Sequence, residues 1–346
     1  MFDKFIGNEQ IKIILKRMLA KNRVPHSFLF AGEEGIGKKQ FALELAKAFV
    51  CQNPQNSEAC DKCHACKRVD KFTFPKSDDR DDHKKVIFSE FPDIGQVIAY
   101  NKNILVDAIR DLEKEANYRP YEAQARFFII DEADKMNDAA SNALLKTLEE
   151  PAPTTYLFLI TSRPDALLQT IHSRCQTLRF APVSAAEIEK HLLETKKFAP
   201  DDAELLSLLS NGSIGHALTL DLAKFREQRD AMLKVLQSLL IEKNRAFLLK
   251  TAEELADAKN KDSYESSLDI LQTLIHDIWK IKLDADEFSI VNRDYKTQIK
   301  LLAEKADAKR LAKWLTEIEQ MRQLFAVNLN KKLATDALFM QMASAH

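Results

Sequence analysis

Apolar residues change texture along this chain. As far as about residue 180, short unbroken apolar runs alternate with stretches in which apolar residues recur every three or four positions; beyond it only the helical spacing remains. Ile11, Ile14, Leu15, Met18 and Leu19 mark a first helix, which Val24-Pro25-His26 breaks. His26 reads as a hydrogen-bonded turn residue. Phe28–Phe30 then reads as a buried strand, followed by an amphipathic helix through Phe41, Leu45 and Phe49. Residues 70–103 are polar and poorly periodic, with a charge-dense run at 76–85. Only Val86–Phe88 there suggests a strand, and most of the rest suggests a surface insertion. A helix over Val106–Ala116 precedes the strand Phe127–Ile130. A helix over Ala139–Leu148 stops before Pro151, the strand Tyr156–Ile160 follows, and Thr177–Phe180 is a last short strand. Unbroken apolar strands between helices suit a parallel sheet covered on both faces. From Pro182 the chain is helical: Ser184-x-x-Glu187 and Asp201-x-x-Glu204 look like two N-caps. After Gly215 there is neither glycine nor proline, and Met232/Val235/Leu236/Leu239, Leu268/Leu271/Ile275/Ile278 and Leu311/Leu315/Ile318/Met321 recur at helical spacing. The expectation is an α/β domain over 1–182, a small helical segment over 183–220, and an all-α domain over 221–346.

A length of 346 residues agrees with more than one core, since single cores rarely outgrow ~250 residues. A net charge of −1 supplies no global field for nucleic acid, so any such contact is local or shared with partners. The apolar runs are too short to span a bilayer, and Met1–Gln10 lacks a signal-peptide pattern. The reading is cytoplasmic, and disulfides are not expected for the five cysteines.

Chemistry concentrates first at Gly32-x-x-Gly35-x-Gly37-Lys38-Lys39, between the first strand and its helix. A P-loop is G-x-x-x-x-G-K-[ST], and every demanded place is filled except the last. The glycines allow backbone N–H groups to turn inward around phosphate, and Lys38 would reach the β/γ-phosphates. The last position normally ligates Mg²⁺ through a hydroxyl. Lys39 has three donors, no acceptor and a charge that repels a cation. The shape of an ATP site is kept while one catalytic part is lost; the bland reading is a glycine-rich turn that caps a helix. Asp131-Glu132 ends the strand Phe127–Ile130, where a working NTPase holds the Mg²⁺ water shell with the first acid and polarises the attacking water with the second. The same two acids would also suit a helix start. Thr161 and Ser162 end the strand Tyr156–Ile160 and face the same crevice. Arg174, in Ser173-Arg174-Cys175, is either an ion-pair partner or a guanidinium presented to phosphate.

Cys51, Cys60, Cys63 and Cys66 form the second constellation. Cys60-x-x-Cys63-x-x-Cys66 brings thiolates to one point, and Cys51 at the end of the preceding helix can close a tetrahedron. Four sulfurs favour structural zinc with no open position for water. An iron–sulfur cluster, free thiols, and His64 replacing one sulfur stay open. A DNA-reading zinc finger lacks the basic and aromatic flanks it needs. Cys175 stands apart as a small apolar residue.

The P-loop, the cysteine insertion after its helix, the Asp131-Glu132-Ala133-Asp134 strand end and the Ser-Arg-Cys turn occur together in one family. The chain resembles the bacterial clamp-loader subunits of DNA polymerase III, which are AAA+ proteins. The likeness runs over nearly the whole length, through Phe5–Gln10, His26–Phe30, Asn142–Pro151 and Val327–Ala334. It implies an AAA+ domain with a zinc module, a helical lid and a C-terminal oligomerisation collar. The family has an ATP-hydrolysing motor, gamma/tau, and a stator lacking full ATPase chemistry. Lys39 favours the stator; so do His216, where the motor's lid carries arginine, and the end of the chain after the collar-like helices. Gly37, Lys38, Asp131 and Glu132 survive, so the gamma/tau reading and nucleotide binding without turnover stay open. The resemblance further implies gamma/tau and delta subunits as partners, the sliding clamp and primed DNA reached through the complex, and Arg174 acting in trans on a neighbour's ATP.

Overall fold

The computed structural model describes residues 1–195, 198–257, 263–283, 290–324 and 330–344. Residues 327–329 of the Val327–Ala334 likeness lie outside the described residues. Two compact units divide the chain at Thr219/Leu220.

The first unit is built on a six-stranded sheet. Helix α1 (Glu9–Ala20) leads to β1 (Ser27–Ala31), α2 (Lys38–Val50), β2 (Ile87–Phe88), β3 (Ile94–Val97), α3 (Val106–Ala116), β4 (Arg126–Ile130), α4 (Asp138–Glu149), β5 (Thr155–Thr161), the short α5 (Gln169–His172) and β6 (Gln176–Arg179). Across the sheet the order is β2-β3-β4-β5-β1-β6. Only the β2–β3 pairing is antiparallel. The other four are parallel, with Phe28 opposite Phe158 on β5 and Gln176 on β6.

Side chains on a strand alternate between faces, and here both faces are covered. Phe28, Phe30, Phe127, Ile129 and Phe158 join α1 and α2 in one core. Leu29, Phe128, Ile130, Leu157 and Leu159 join α3 and α4 in the other. On the first face Phe28 stacks on Phe158 at 5.6 Å between ring centres, and Phe158 on Phe127 at 6.3 Å. His26 fills its turn role, with Nδ1 2.8 Å from the Thr155 carbonyl and its ring stacked on Tyr156.

The region 70–103 departs from its reading as mostly surface. Its β3 lies inside the sheet beside β4, and Asp93 and Gln96 are fully buried. Asp93 accepts N–H bonds from Tyr121, Glu122 and Ala123 at 2.7, 2.8 and 2.8 Å, pinning the loop that enters β4. The buried Arg126 lies beside it at 3.7 Å and reaches Glu115 at 3.0 Å.

Three helices finish this unit: α6 (Ala185–Glu194), α7 (Pro200–Leu209) and α8 (Ile214–Thr219). Ser184 and Glu187 form the expected capping box. Asp201 is not a cap. Helix α7 starts two residues earlier than that cap would set it, at Pro200, whose fixed φ and missing N–H suit a first helical position, after Ala199.

The second unit contains only helices among its described residues: α9 (Leu222–Gln237), α10 (Arg245–Ala256), α11 (Tyr264–Lys282), α12 (Lys296–Lys305), α13 (Ala308–Leu324) and α14 (Lys331–Ser344). Its core includes Leu271, Ile275, Ile278, Trp314 and Ile318. Two buried polar groups organise it. Asp277 accepts from the N–H groups of Val291 and Asn292, and Arg229 pairs with Asp294 at 2.5 Å while stacking on Tyr295.

Candidate functional site: a P-loop cleft, a four-thiol cluster and an exposed arginine

Strands β4, β5 and β1 are sheet neighbours, so their carboxyl ends bring Asp131, Thr161 and the P-loop to one place. A cleft of about 460 Å³ opens there, lined among others by Gly35, Gly37, Lys38, Lys39, Asp131, Glu132 and Thr161. Gly32, Gly35 and Gly37 take φ of 151°, 73° and 95°, which side chains rarely adopt. Gly37 is the N-cap of α2 with no side-chain cap, and a Cβ there would meet nothing within 4 Å. Gly37 and the first turn of α2, Lys38 to Gln40, line the cleft.

Most of the charged groups lining the cleft are held by neighbours. Lys38, almost fully buried, donates to the carbonyls of Gly32 and Glu33 at 2.6 and 2.5 Å. Burial pushes its ammonium below the usual lysine range, and Asp131 and Glu34 offset part of that. Lys39 Nζ lies 3.3 Å from Asp131 Oδ2, an oxygen that also accepts from Gln96 Nε2 at 3.1 Å. The face of the Phe74 ring is 5.1 Å from the same ammonium. Asp131 thus faces a tethered cation at the place where a hydroxyl and a carboxylate would share a metal. Glu132 sits at φ 54° and pairs with Lys135 at 2.5 Å. Thr161 Oγ1 donates to Asp134 at 2.7 Å, and Arg163 clamps the same carboxylate with two bonds. Burial works against the Asp134 charge, yet Thr161 and Arg163 outweigh it and hold the carboxyl below its ordinary range.

Helix α8 reaches the loop directly. Gly215 N–H donates to the Gly35 carbonyl at 2.8 Å, and a Cβ on Gly35 would lie 2.3 Å from Ser213 Oγ. His216 lines an adjoining groove of about 820 Å³ with Glu33, Glu34, Asn211 and Thr219.

The four cysteines come together as the spacing suggested. All four Sγ atoms lie within 4.8 Å of one another. A tetrahedron with metal–sulfur bonds of about 2.3 Å has edges near ~3.8 Å, so a small inward shift would complete it. Backbone N–H groups already point at the sulfurs: Cys60 to Cys51 at 3.3 Å, Cys63 to Cys60 at 3.3 Å, and Cys66 to Cys63 at 3.4 Å. Burial opposes ionisation of Cys63, but N–H groups of Cys66 and Gln52 and the adjoining thiols draw it down to about 6. Burial, then the thiols of Cys63 and Cys51, push Cys66 well up. The donor set therefore suits a soft cation such as zinc. His64 stands exposed beside the cluster and outside it.

Arg174 is placed elsewhere and does not line the P-loop cleft of its own chain. It is partly exposed. Its guanidinium donates to the Thr170 carbonyl at 2.9 Å, to Ser173 Oγ at 3.1 Å, and to Glu149 at 2.6 Å. Cys175 packs against the β4–α4 core, where burial pushes its thiol up to about 12.

Sequence reasoning missed Gln96, Glu149 and Gly215. Each acts through a contact between residues far apart in the chain; Glu149 and Gly215 lay within segments that had drawn notice, but for other residues.

Known proteins supply the remaining evidence. A family model described as the DNA polymerase III delta subunit matches residues 7–184, and one for the C-terminal part of that subunit matches 223–343. Subunit delta' of DNA polymerase III from Bacillus subtilis (strain 168) is 30% identical over 318 residues, covering 92% of this chain and 90% of its own. Its Pseudomonas aeruginosa counterpart is 32% identical over 324 residues, covering 92% of each. Subunit tau of B. subtilis is 29% identical over 278 residues, but they make up only 46% of tau's length. The P-loop α/β unit, the four-thiol cluster and the helical C-terminal unit agree with matches that run through nearly the whole chain, and the chain belongs to the DNA polymerase III delta' family.

Proposed function

We propose that this chain is a stator subunit of a bacterial clamp loader, assisting ATP-driven loading of the sliding clamp onto primed DNA without hydrolysing ATP itself. The observation that carries this is the ion pair of Lys39 with Asp131 at 3.3 Å, which sets an ammonium where turnover needs a metal. Its partners are gamma/tau and delta subunits; the clamp and DNA are reached through the assembled complex. Residues 1–182 form the AAA+ domain, 183–220 its lid, and 221–346 the collar through which subunits associate.

Arg174 is the chain's contribution to catalysis. Lying outside its own cleft, it serves a neighbouring subunit by neutralising charge on the transferred phosphoryl group, a role worth about 10³–10⁵ in rate where it has been measured elsewhere. Cys51, Cys60, Cys63 and Cys66 hold a structural zinc ion, whose bonds cross-link the segment after α2. The site of action is the bacterial cytoplasm; no helix among the described residues is long and apolar enough to cross a membrane.

The test is steady-state ATP turnover by the purified chain with Mg²⁺. No turnover is expected. Turnover abolished by Lys38→Ala would replace this reading with the gamma/tau motor, which the survival of Gly37, Lys38, Asp131 and Glu132 keeps in view.

A further inference from the structure

The stator reading assigns no ligand to the P-loop cleft. Its charges show what kind of ligand suits it. Asp131, Glu132 and Asp134 are each paired, with Lys39, Lys135 and Arg163 respectively, while Glu34, on the side that adjoins the second groove, makes no ion pair among the described residues. Lys38 has no carboxylate within ion-pair distance among the described residues and spends its protons on two loop carbonyls. A phosphate oxygen would be a stronger acceptor for that ammonium than either carbonyl. The start of α2, which has no side-chain cap, lines the same cleft.

The metal's place is filled as well. Bound to a P-loop, Mg²⁺ offsets phosphate charge and ties it to the strand acid. An ammonium has three donors, so Lys39 can hold Asp131 with one and a phosphate oxygen with another. Gln96 and Lys39 share Asp131 Oδ2, and a divalent ion at this carboxylate would stand against the Lys39 charge. Beyond Glu34 and Gly35, which line both spaces, the 820 Å³ groove next to α8 has room for a nucleoside.

We propose that this cleft is a metal-independent nucleotide site: it takes the polyphosphate of a nucleoside di- or triphosphate, with the Lys39 ammonium standing where Mg²⁺ stands in a motor subunit. The inference deepens the stator reading of the same site, yet it is read by binding and not by turnover. ATP hydrolysis by the chain would overturn the stator reading, whereas the results below decide this inference separately.

The experiment is equilibrium dialysis of the full chain with labelled ATP, in EDTA and in excess MgCl₂, with inorganic tripolyphosphate as a second probe. ATP is expected to bind in EDTA at least as tightly as in MgCl₂, and at least ten times more tightly than tripolyphosphate. Lys39→Thr, which restores a hydroxyl, is expected to weaken binding in EDTA at least tenfold and to recover it in MgCl₂. Binding that requires Mg²⁺, binding in neither condition, or EDTA binding unchanged by Lys39→Thr would each overturn the proposal. Equal affinity for tripolyphosphate would overturn its nucleoside part. The wild-type comparison decides the matter alone if the variant does not fold.

Discussion

Replacing Cys66 by serine removes one of four sulfurs with the least possible change of shape. Cys66 is only 2% exposed, and its neighbours Ala65 and Val69 belong to the same core as Phe41, Leu45 and Val50. Structural zinc in small domains supplies on the order of 10–16 kcal/mol of coupled folding energy at neutral pH. Shared over four ligands, one sulfur is worth roughly 3–4 kcal/mol, or about two to three powers of ten in zinc affinity. A serine hydroxyl left without a partner in that buried place adds about 1–3 kcal/mol. The cluster is stapled to the rest of the unit by Met1 N-terminus to Glu58 and by Lys4 and Lys47 to Asp61, so loosening it is expected to be felt through α1 and α2. The assay is twofold: metal content of the purified protein, and urea denaturation of both proteins with and without a chelator. Wild type should carry about one zinc per chain and lose stability on chelation. Cys66→Ser should release zinc at far lower chelator concentrations and unfold at lower urea. Iron in the wild type, no metal, or a Cys66→Ser protein of unchanged zinc content and stability would refute the reasoning.

Three further outcomes are expected. Gly35→Ala places a Cβ 2.3 Å from Ser213 Oγ at φ +73°, so backbone strain of about 1–2 kcal/mol and the loss of the Gly215–Gly35 bond should make protease cleavage between α7 and α8 faster than in wild type; an unchanged rate would deny that α8 is latched to the P-loop. Glu149→Gln should leave stability within about 1 kcal/mol and raise turnover of the assembled loader by less than about fivefold, since an amide competes less with phosphate for Arg174; a large fall would show that Glu149 holds the guanidinium in its working position. Asp134 keeps its carboxyl below the usual 3.8 in the folded chain, so its stabilising contribution is present above that pH and is lost as pH falls through its folded value. Asp134→Asn should therefore lower stability at neutral pH and make its loss as pH falls below 3.8 shallower, as read from denaturation midpoints; an acid limb parallel to wild type would contradict this.

What could be read from the chain was what lies close together in it. The P-loop, the three cysteines from Cys60 to Cys66 and the apolar run ending at Asp131 carry their chemistry within a few residues, and spacing alone fixes most of their geometry. Lys39 was legible as a residue that cannot ligate Mg²⁺. That it pairs with Asp131 depends on β1 and β4 flanking β5, which a linear reading cannot supply. Strand β3 escaped notice because Ile94-Gly95-Gln96-Val97 is four residues long and half polar, too short for a period to show. Its burial comes from the sheet: a Cβ on Gly95 would crowd Val86 at 2.4 Å and Phe128 at 3.1 Å, so glycine lets the β2–β3 edge close over β4. Arg126 carried no signal in the sequence, and only the fold brings Asp93 and Glu115 to it. The Asp201 cap failed by two residues because Pro200 offered the helix an earlier start.

The central claim is that a chain with a metal-blocked cleft of its own contributes an arginine to another subunit's chemistry. It is tested most directly by ATP turnover of a loader reconstituted with gamma/tau, delta, clamp and primed DNA, with this chain as wild type or as Arg174→Ala. The expected result is complete assembly by both proteins and turnover at least tenfold slower with Arg174→Ala. Equal turnover from equally assembled complexes would contradict the account and leave Arg174 as the surface partner of Glu149.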